Sequence, residues 1–328
     1  MQAQSGAETD EGALNRLLMQ RPKSVATQIQ AANLHRRNGK DVLARSHLQR
    51  AIELARHQEC PDASAGEIAQ AKAALWEMEQ QIDGNRQLLL TKRGFPPERW
   101  SPRLRRSLRN STPEPRMFHS EPTEFAFAGL PTVPFYDPAQ FDWVPVVEAA
   151  TPAIQDELLR QLDRGTEEFR AYIQGHSAAP EMNAELLGKK DWSILPMCER
   201  GWVATTLVKR FPKTWAAVQK APLPGIHGWG PTVVFSLLKA GARIPAHTGM
   251  FNTRLICHLP LIVPPGCGFR VGNEVREWEV GKLLIFDDTI EHEAWNDSDE
   301  DRIVLIFDIW RPELSAQERD ELEALFSA

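Results

Sequence analysis

Trp278-Glu-Val-Gly-Lys-Leu-Leu-Ile-Phe-Asp-Asp-Thr-Ile-Glu-His-Glu293 holds an apolar run short enough for one strand, an acidic turn, and a histidine where the chain extends again. A second histidine stands in Ala246-His-Thr-Gly249, in another strand-like stretch. Around them, 232–239 (Thr-Val-Val-Phe-Ser-Leu-Leu-Lys), 254–263, 268–275 and 302–310 read as further strands, separated by Gly, Pro or charged turns. So many short strands in roughly ninety residues predict a β-sandwich closed as a jelly roll. Distant strands of such a fold can bring two neutral imidazoles together as ligands for a transition metal, and basic residues downstream can hold an anion beside it.

The chain has 328 residues, more than one typical domain, so a large domain plus a smaller module is expected. Its 42% hydrophobic and 25% charged content is that of a soluble protein, and a net charge of -6 gives no reason to expect nucleic acid as a partner. Cys60, Cys198, Cys257 and Cys267 form no CxxC or zinc-type cluster and are expected to be free, buried thiols. The first thirty residues lack the apolar core of a signal peptide, and no stretch is apolar enough to span a membrane; cytoplasmic localisation is the expectation.

Residues 1–91 carry a helical pattern. Ala32, Gly39, Ala44, Leu48 and Ala51 fall where a tetratricopeptide-like hairpin places small and apolar residues, with Asn38-Gly39 as the turn. Such a hairpin either extends a core or docks a protein partner. Another helix is expected over 64–82, opened by a Ser64/Glu67 capping box. The segment 92–118 carries Lys92, Arg93, Arg99, Arg103, Arg105, Arg106, Arg109 and Arg116 against Glu98 and Glu114, with Pro96, Pro97, Pro102, Pro113 and Pro115. Proline and like charge oppose packing, so it reads as a surface linker ahead of a domain over 119–328. Within that domain, 151–174 reads as an amphipathic helix with Pro152 in its first turn.

Three tracts in order, His247-Thr-Gly-Met-Phe-Asn-Thr-Arg-Leu-Ile-Cys-His-Leu-Pro-Leu261, Trp278 to Glu293, and Arg302-Ile-Val-Leu-Ile-Phe-Asp-Ile-Trp-Arg-Pro-Glu-Leu314, resemble the aspartyl/asparaginyl β-hydroxylase family. The resemblance extends thinly to Gly129-Leu-Pro-Thr-Val-Pro-Phe-Tyr-Asp137 and covers about 119–315, leaving out the helical N-terminus. It implies an α+β protein whose catalytic domain is a double-stranded β-helix, a cupin-like jelly roll. It also implies Fe(II), with 2-oxoglutarate as co-substrate chelating the metal, and hydroxylation of a C–H bond with succinate and CO2 as co-products.

By resemblance His247 and His292 are the metal ligands, and Arg302 with Ser236 holds the distal carboxylate of 2-oxoglutarate. A guanidinium entering a dry barrel is costly unless an anion meets it, which suits Arg302. His258 would contact the co-substrate near the metal, and Arg254 the anionic end of substrate or co-substrate. Arg254, Ile256 and His258 share one strand face. Animal members carry a second arginine where this chain has Ile256, which puts an aspartyl or asparaginyl substrate in doubt. The substrate stays open between a peptide, at an Asp/Asn β-carbon, and a small molecule.

Most non-haem iron oxygenases add a carboxylate two residues after the first histidine. Here that residue is Gly249, as in the resembled family, so the third facial position is expected to be open and water-filled. An open position also suits halide, leaving a 2-oxoglutarate-dependent halogenase as the alternative. A non-catalytic partner-binding protein is the second. Asp287, Asp288, Glu291 and Glu293 are candidates to orient an imidazole, and Trp278, Trp295 and Trp310 read as packing residues.

Overall fold

Strand β12, Arg302–Trp310, explains the architecture of the C-terminal unit. It is apolar almost throughout because both of its faces are covered. Ile303, Leu305, Phe307 and Ile309 join one cluster with Val147, Ile154 and Leu158 of two helices, while Val304 and Ile306 join another with Phe269, Phe286 and Trp278. Even-numbered residues of this strand therefore look into the space between two sheets.

The computed structural model describes residues 2–57, 61–109, 117–173 and 187–327. It divides into units Met1–Met117 and Phe118–Ala328. Cys60 and, in the basic segment, Pro113, Pro115 and Arg116 lie outside the described residues, as does Gln174 at the end of the expected helix.

In the first unit, α1 (Gln2–Gln20), α2 (Val25–Arg37), α3 (Asp41–His57) and α4 (Ala65–Lys92) follow one another. Ser24 caps α2, its hydroxyl accepting from the Thr27 amide at 3.0 Å, and Ser64 and Glu67 form the expected capping box on α4. Gly39, at φ 69°, turns the chain between α2 and α3. Ala32 and Ala44 let these helices approach, and Leu48, Ile52 and Leu75 fill the groove. Helix α4 continues past Ile82 to Lys92, because strong helix formers run up to Gly94, which takes φ 85° while the Phe95 amide returns to the Leu90 carbonyl at 2.9 Å. Beyond it, Pro97 and Pro102 open a 3-10 turn (Pro97–Arg99) and helix α5 (Pro102–Arg109), where the missing N–H costs nothing.

The second unit is a jelly roll of two antiparallel sheets. The larger runs in the order β1 (Phe135–Tyr136), β10 (Leu284–Phe286), β7 (Arg254–Ile262), β12, β5 (Val233–Leu238), β3 (Trp192–Glu199) and β2 (Arg170–Ala171), with β4 (Trp202–Val203) on β3. The smaller runs β6 (Arg243–His247), β11 (His292–Asn296), β8 (Cys267–Val271), β9 (Glu274–Arg276). Helices α6 (Val144–Ala149) and α7 (Thr151–Leu162) cover the outside of the larger sheet. Helix α7 stops well short of 174: Gly165 takes φ 102° and its amide caps Leu162 at 2.9 Å, after which the chain leaves to pair with β3. Cys198, Cys257 and Cys267 are buried, free thiols.

Candidate metal and co-substrate site

His247 ends β6 and His292 begins β11, and the ladder sets the two opposite each other with ring centroids 4.1 Å apart. Each Nδ1 faces a main-chain carbonyl two residues upstream, Pro245 at 2.8 Å and Ile290 at 3.1 Å. A carbonyl can only accept, so both Nδ1 atoms carry the proton and both Nε2 atoms keep a lone pair. Burial lowers the pKa of both, and for His292 the neighbouring His247 lowers it further, so both rings are neutral. This is a metal-ready pair.

The acidic neighbours do not orient these rings. Glu291 and Glu293, adjacent to His292 on an alternating strand, point away from it and hold Arg270. Asp287 accepts from Arg311 at 3.0 Å and from Thr289. The carbonyls do the work expected of the carboxylates.

Arg302 is 1% exposed, and its Nε and Nη1 have no hydrogen-bond partner. Its guanidinium carbon lies 4.8 Å from the centre of the Trp278 ring, and burial pulls its pKa down to about 10. Ser236 sits on the adjacent strand, across from Val304, with its hydroxyl accepting from the Trp192 indole at 3.1 Å. His258 is enclosed by Phe286 and Phe269 at 4.8 and 5.1 Å, and its Nδ1 is also unpartnered. Burial first and the Arg302 charge second push its pKa well down, so it is neutral. The buried indole N–H of Trp278 is a further unmet donor.

Isolated buried charges cost several kcal/mol, roughly, so unmet donors on Arg302 mark a pocket made for an anion. With the two imidazole lone pairs between the same sheets, the donor set fits a divalent metal and a carboxylate-bearing chelator. The residues predicted for these roles, His247, His292, Arg302, Ser236 and His258, thus face one interior.

Arg254 differs. Its Nη1 donates to Asp308 at 2.8 Å, Asp288 lies 3.6 Å away, and its guanidinium rests 5.4 Å from the Phe251 ring centre. Its charge is met closely by Asp308 and at longer range by Asp288, leaving its Nε without a partner. Asp308, opposite Ile256 on β12, was the missed signal: a carboxylate of the same parity as Arg302 in an otherwise apolar strand.

Gly249 does not leave open space. A Cβ there would sit 2.1 Å from Asp288 Oδ2, and the Gly249 amide donates to the Asp288 carbonyl at 2.7 Å. Asp288 is therefore more than a turn residue, since its carboxylate fills the volume a side chain at 249 would take. Burial, partly offset by Arg254, pushes its pKa up to about 7. Among the described residues, no three His, Cys, Asp or Glu side chains converge as a metal-ligand group, so Asp288 does not complete a triad in this conformation. The sequence also gave no notice of Tyr172, stacked 4.0 Å from Trp192, which itself lies 6.1 Å from His247.

Residues 148–312, the span that carries the side chains described above, match the family described as Aspartyl/Asparaginyl beta-hydroxylase. The chain belongs to that family. The Ornithine lipid ester-linked acyl 2-hydroxylase of Rhizobium tropici is 36% identical over 196 residues, 59% of this chain and 66% of the relative. The Aspartyl/asparaginyl beta-hydroxylase of Mus musculus is 34% identical over 202 residues, 60% of this chain and 26% of the relative; that of Homo sapiens is 34% identical over 201 residues, 60% and 25%. The chain thus matches just under two thirds of the bacterial hydroxylase and about a quarter of the mammalian ones. The Schizosaccharomyces pombe Cnp3 cupin domain aligns at 7% identity and a TM-score of 0.26 over 38% of this chain and 67% of its own, too distant to bear on the assignment. The family's hydroxylases support an enzyme reading for this member.

Proposed function

We propose that this protein is an Fe(II)- and 2-oxoglutarate-dependent hydroxylase of unactivated C–H bonds. The observation that carries the reading is Arg302: a fully buried guanidinium with unmet N–H groups, in the same interior as two imidazoles whose Nδ1 atoms are held by main-chain carbonyls. His247 and His292 would hold the iron. Arg302 and the Ser236 hydroxyl would take the distal carboxylate of 2-oxoglutarate, and His258 would donate near its chelating end. When bound, iron, 2-oxoglutarate and dioxygen together supply the oxidising power, with succinate and CO2 as co-products.

The chain's own residues bind, orient and exclude water. Main-chain carbonyls fix both imidazole tautomers. Phe269, Phe286, Trp278 and Trp192 wall the interior, which strengthens each charge-assisted contact inside it. With the Asp288 side chain filling the space beside Gly249, little room is left there for a halide, which favours hydroxylation over halogenation.

For the substrate, a carbon on an apolar chain fits better than an aspartyl side chain. Ile256 is apolar, and Arg254 is already paired with Asp308 and Asp288, with its Nε left unmet. The Rhizobium tropici relative, named as an acyl hydroxylase, accords with this. The test is succinate release from Fe(II), ascorbate and 2-oxoglutarate with an acyl and peptide panel, alongside iron titration of His247→Ala. Unchanged iron binding in that variant, together with no succinate from the wild type, would sink the reading.

A further inference from the structure

Strand β3 turns into β4 through Arg200 and Gly201. Arg200 takes φ 48°, the left-handed region, where a side chain costs about 1–2 kcal/mol. The hairpin is fixed there: a Cβ on Gly201 would meet the Gly230 carbonyl oxygen at 2.9 Å, and the Arg200 amide donates to Thr232 Oγ1 at 3.3 Å. A long cation is thus presented from a strained, rigid turn. Its Nη2 approaches Met250 Sδ at 3.9 Å, and among the described residues no carboxylate forms an ion pair with it. The adjacent Glu199 is already engaged by Arg170.

Beside it, Trp202 is 68% exposed. A groove of about 360 Å³ is lined by Pro196, Glu199, Arg200, Trp202 and Ala204, a size suited to a small-molecule ligand. The groove is linked to the metal and co-substrate site through Met250, which Arg200 touches. Met250 follows His247 closely in the chain, and Tyr172, stacked on Trp192, lies within electrostatic reach of Arg254 and Asp288 and also of Glu199 and Arg200.

We propose that this groove docks the polar end of the hydroxylase substrate, and that this end is a carboxylate on an apolar chain: Arg200 meets the anion while Trp202 and Pro196 flank the chain. The inference rests on the hydroxylase reading and adds where the substrate is held. An Arg fork accepts a carboxylate in two parallel hydrogen bonds, and an exposed indole covers an alkyl chain at little entropic cost. The charge complement favours an anionic amphiphile taken one molecule at a time.

The test is calorimetric titration of the full chain with N-lauroylglycine below its micellar concentration, with dodecyl maltoside as the neutral head and an aspartate-rich peptide as the acidic macromolecular alternative. Arg200→Asn removes the cation yet tolerates the left-handed backbone, so the hairpin keeps its shape. Saturable one-to-one binding of N-lauroylglycine is expected, weakened about tenfold in Arg200→Asn and restored in part by Arg200→Lys. Trp202→Ala should weaken both amphiphiles, and Arg200→Asn should leave dodecyl maltoside unchanged. Equal N-lauroylglycine binding in wild type and Arg200→Asn overturns the proposal, as does saturable binding of the peptide without the amphiphile. Titration with 2-oxoglutarate and Fe(II) runs in parallel: its failure in the wild type would count against the hydroxylase reading, whereas its success with no amphiphile binding would count against the groove alone.

Discussion

Replacing Arg302 by Met should move stability and co-substrate binding in opposite directions. The side chain is 1% exposed, and its pKa falls from the ordinary guanidinium range to about 10, because burial penalises the charged form without a carboxylate to offset it. At about 1.4 kcal/mol per pKa unit, that shift corresponds to about 3 kcal/mol of native-state cost at neutral pH. The sign follows from linkage: the unfolded chain holds the proton more tightly, so the cost is full below the folded pKa and is relieved only as pH rises toward the unfolded value. Methionine fills much of the volume without charge, so the apo variant should melt roughly 3–10 °C higher. Binding should suffer, because removing one partner of a buried charge pair costs about 2–5 kcal/mol, or roughly 30-fold to several thousand-fold in Kd for 2-oxoglutarate. Thermal melts of apo protein and calorimetry with Fe(II) and 2-oxoglutarate under nitrogen measure the two effects. A lower melting temperature with co-substrate affinity within about threefold of wild type would refute the idea that Arg302 is held in reserve for an anion.

Arg311, equally buried, should behave in the reverse way: its donors are met by Asp287, the Asn252 and Pro131 carbonyls and the Tyr136 hydroxyl, so Arg311→Leu should lose about 3–5 kcal/mol in denaturant unfolding. Trp192→Phe removes the indole donor to Ser236 and should weaken 2-oxoglutarate by about threefold to tenfold, with iron affinity unchanged in titration. Gly249→Asp should not build a third ligand, since its Cβ collides with Asp288; a loss of about 1–3 kcal/mol in melting and no gain in iron affinity are expected, and tighter iron with intact stability would contradict the packing described.

The fold was legible because burial on two faces writes itself as apolar runs interrupted by turns, whereas the candidate site residues came from resemblance to a family and not from periodicity. Arg302, Ser236 and His258 lie on three different strands, and the register puts them on one face: Ser236 is opposite Val304 and His258 opposite Ile306, which share the parity of Arg302 on β12. Contacts between strands far apart in sequence were not legible. Nothing in the order of residues says that Asp308 meets Arg254, or that Asp288 crosses to the space beside Gly249, because register is settled by packing of the whole sandwich. Helix ends were misjudged where a glycine conformation decided them: Gly165 stops α7 early, and α4 runs on until Gly94.

Arg302 and Arg254 look alike in sequence, each an arginine on an inward-facing strand position, yet the structure gives them opposite electrostatic roles. Arg254 has Asp308 and Asp288 about it, and their fields hold its pKa up against burial. Arg302 has no such partner, and its pKa falls. A neutralised arginine supports the wall of a site, because its charge is already satisfied by groups that cannot leave; an unsatisfied one creates affinity for whatever anion enters. The distinction also bears on Ile256. With Arg254 paired to Asp308 and Asp288 save for its Nε, and an isoleucine next to it on the same face, Arg302 is, among the described residues of this interior, the arginine without a carboxylate partner, and anion binding is concentrated there. A second anionic group on the substrate would have to be met outside the barrel, and the described cation in that region without a carboxylate partner is Arg200.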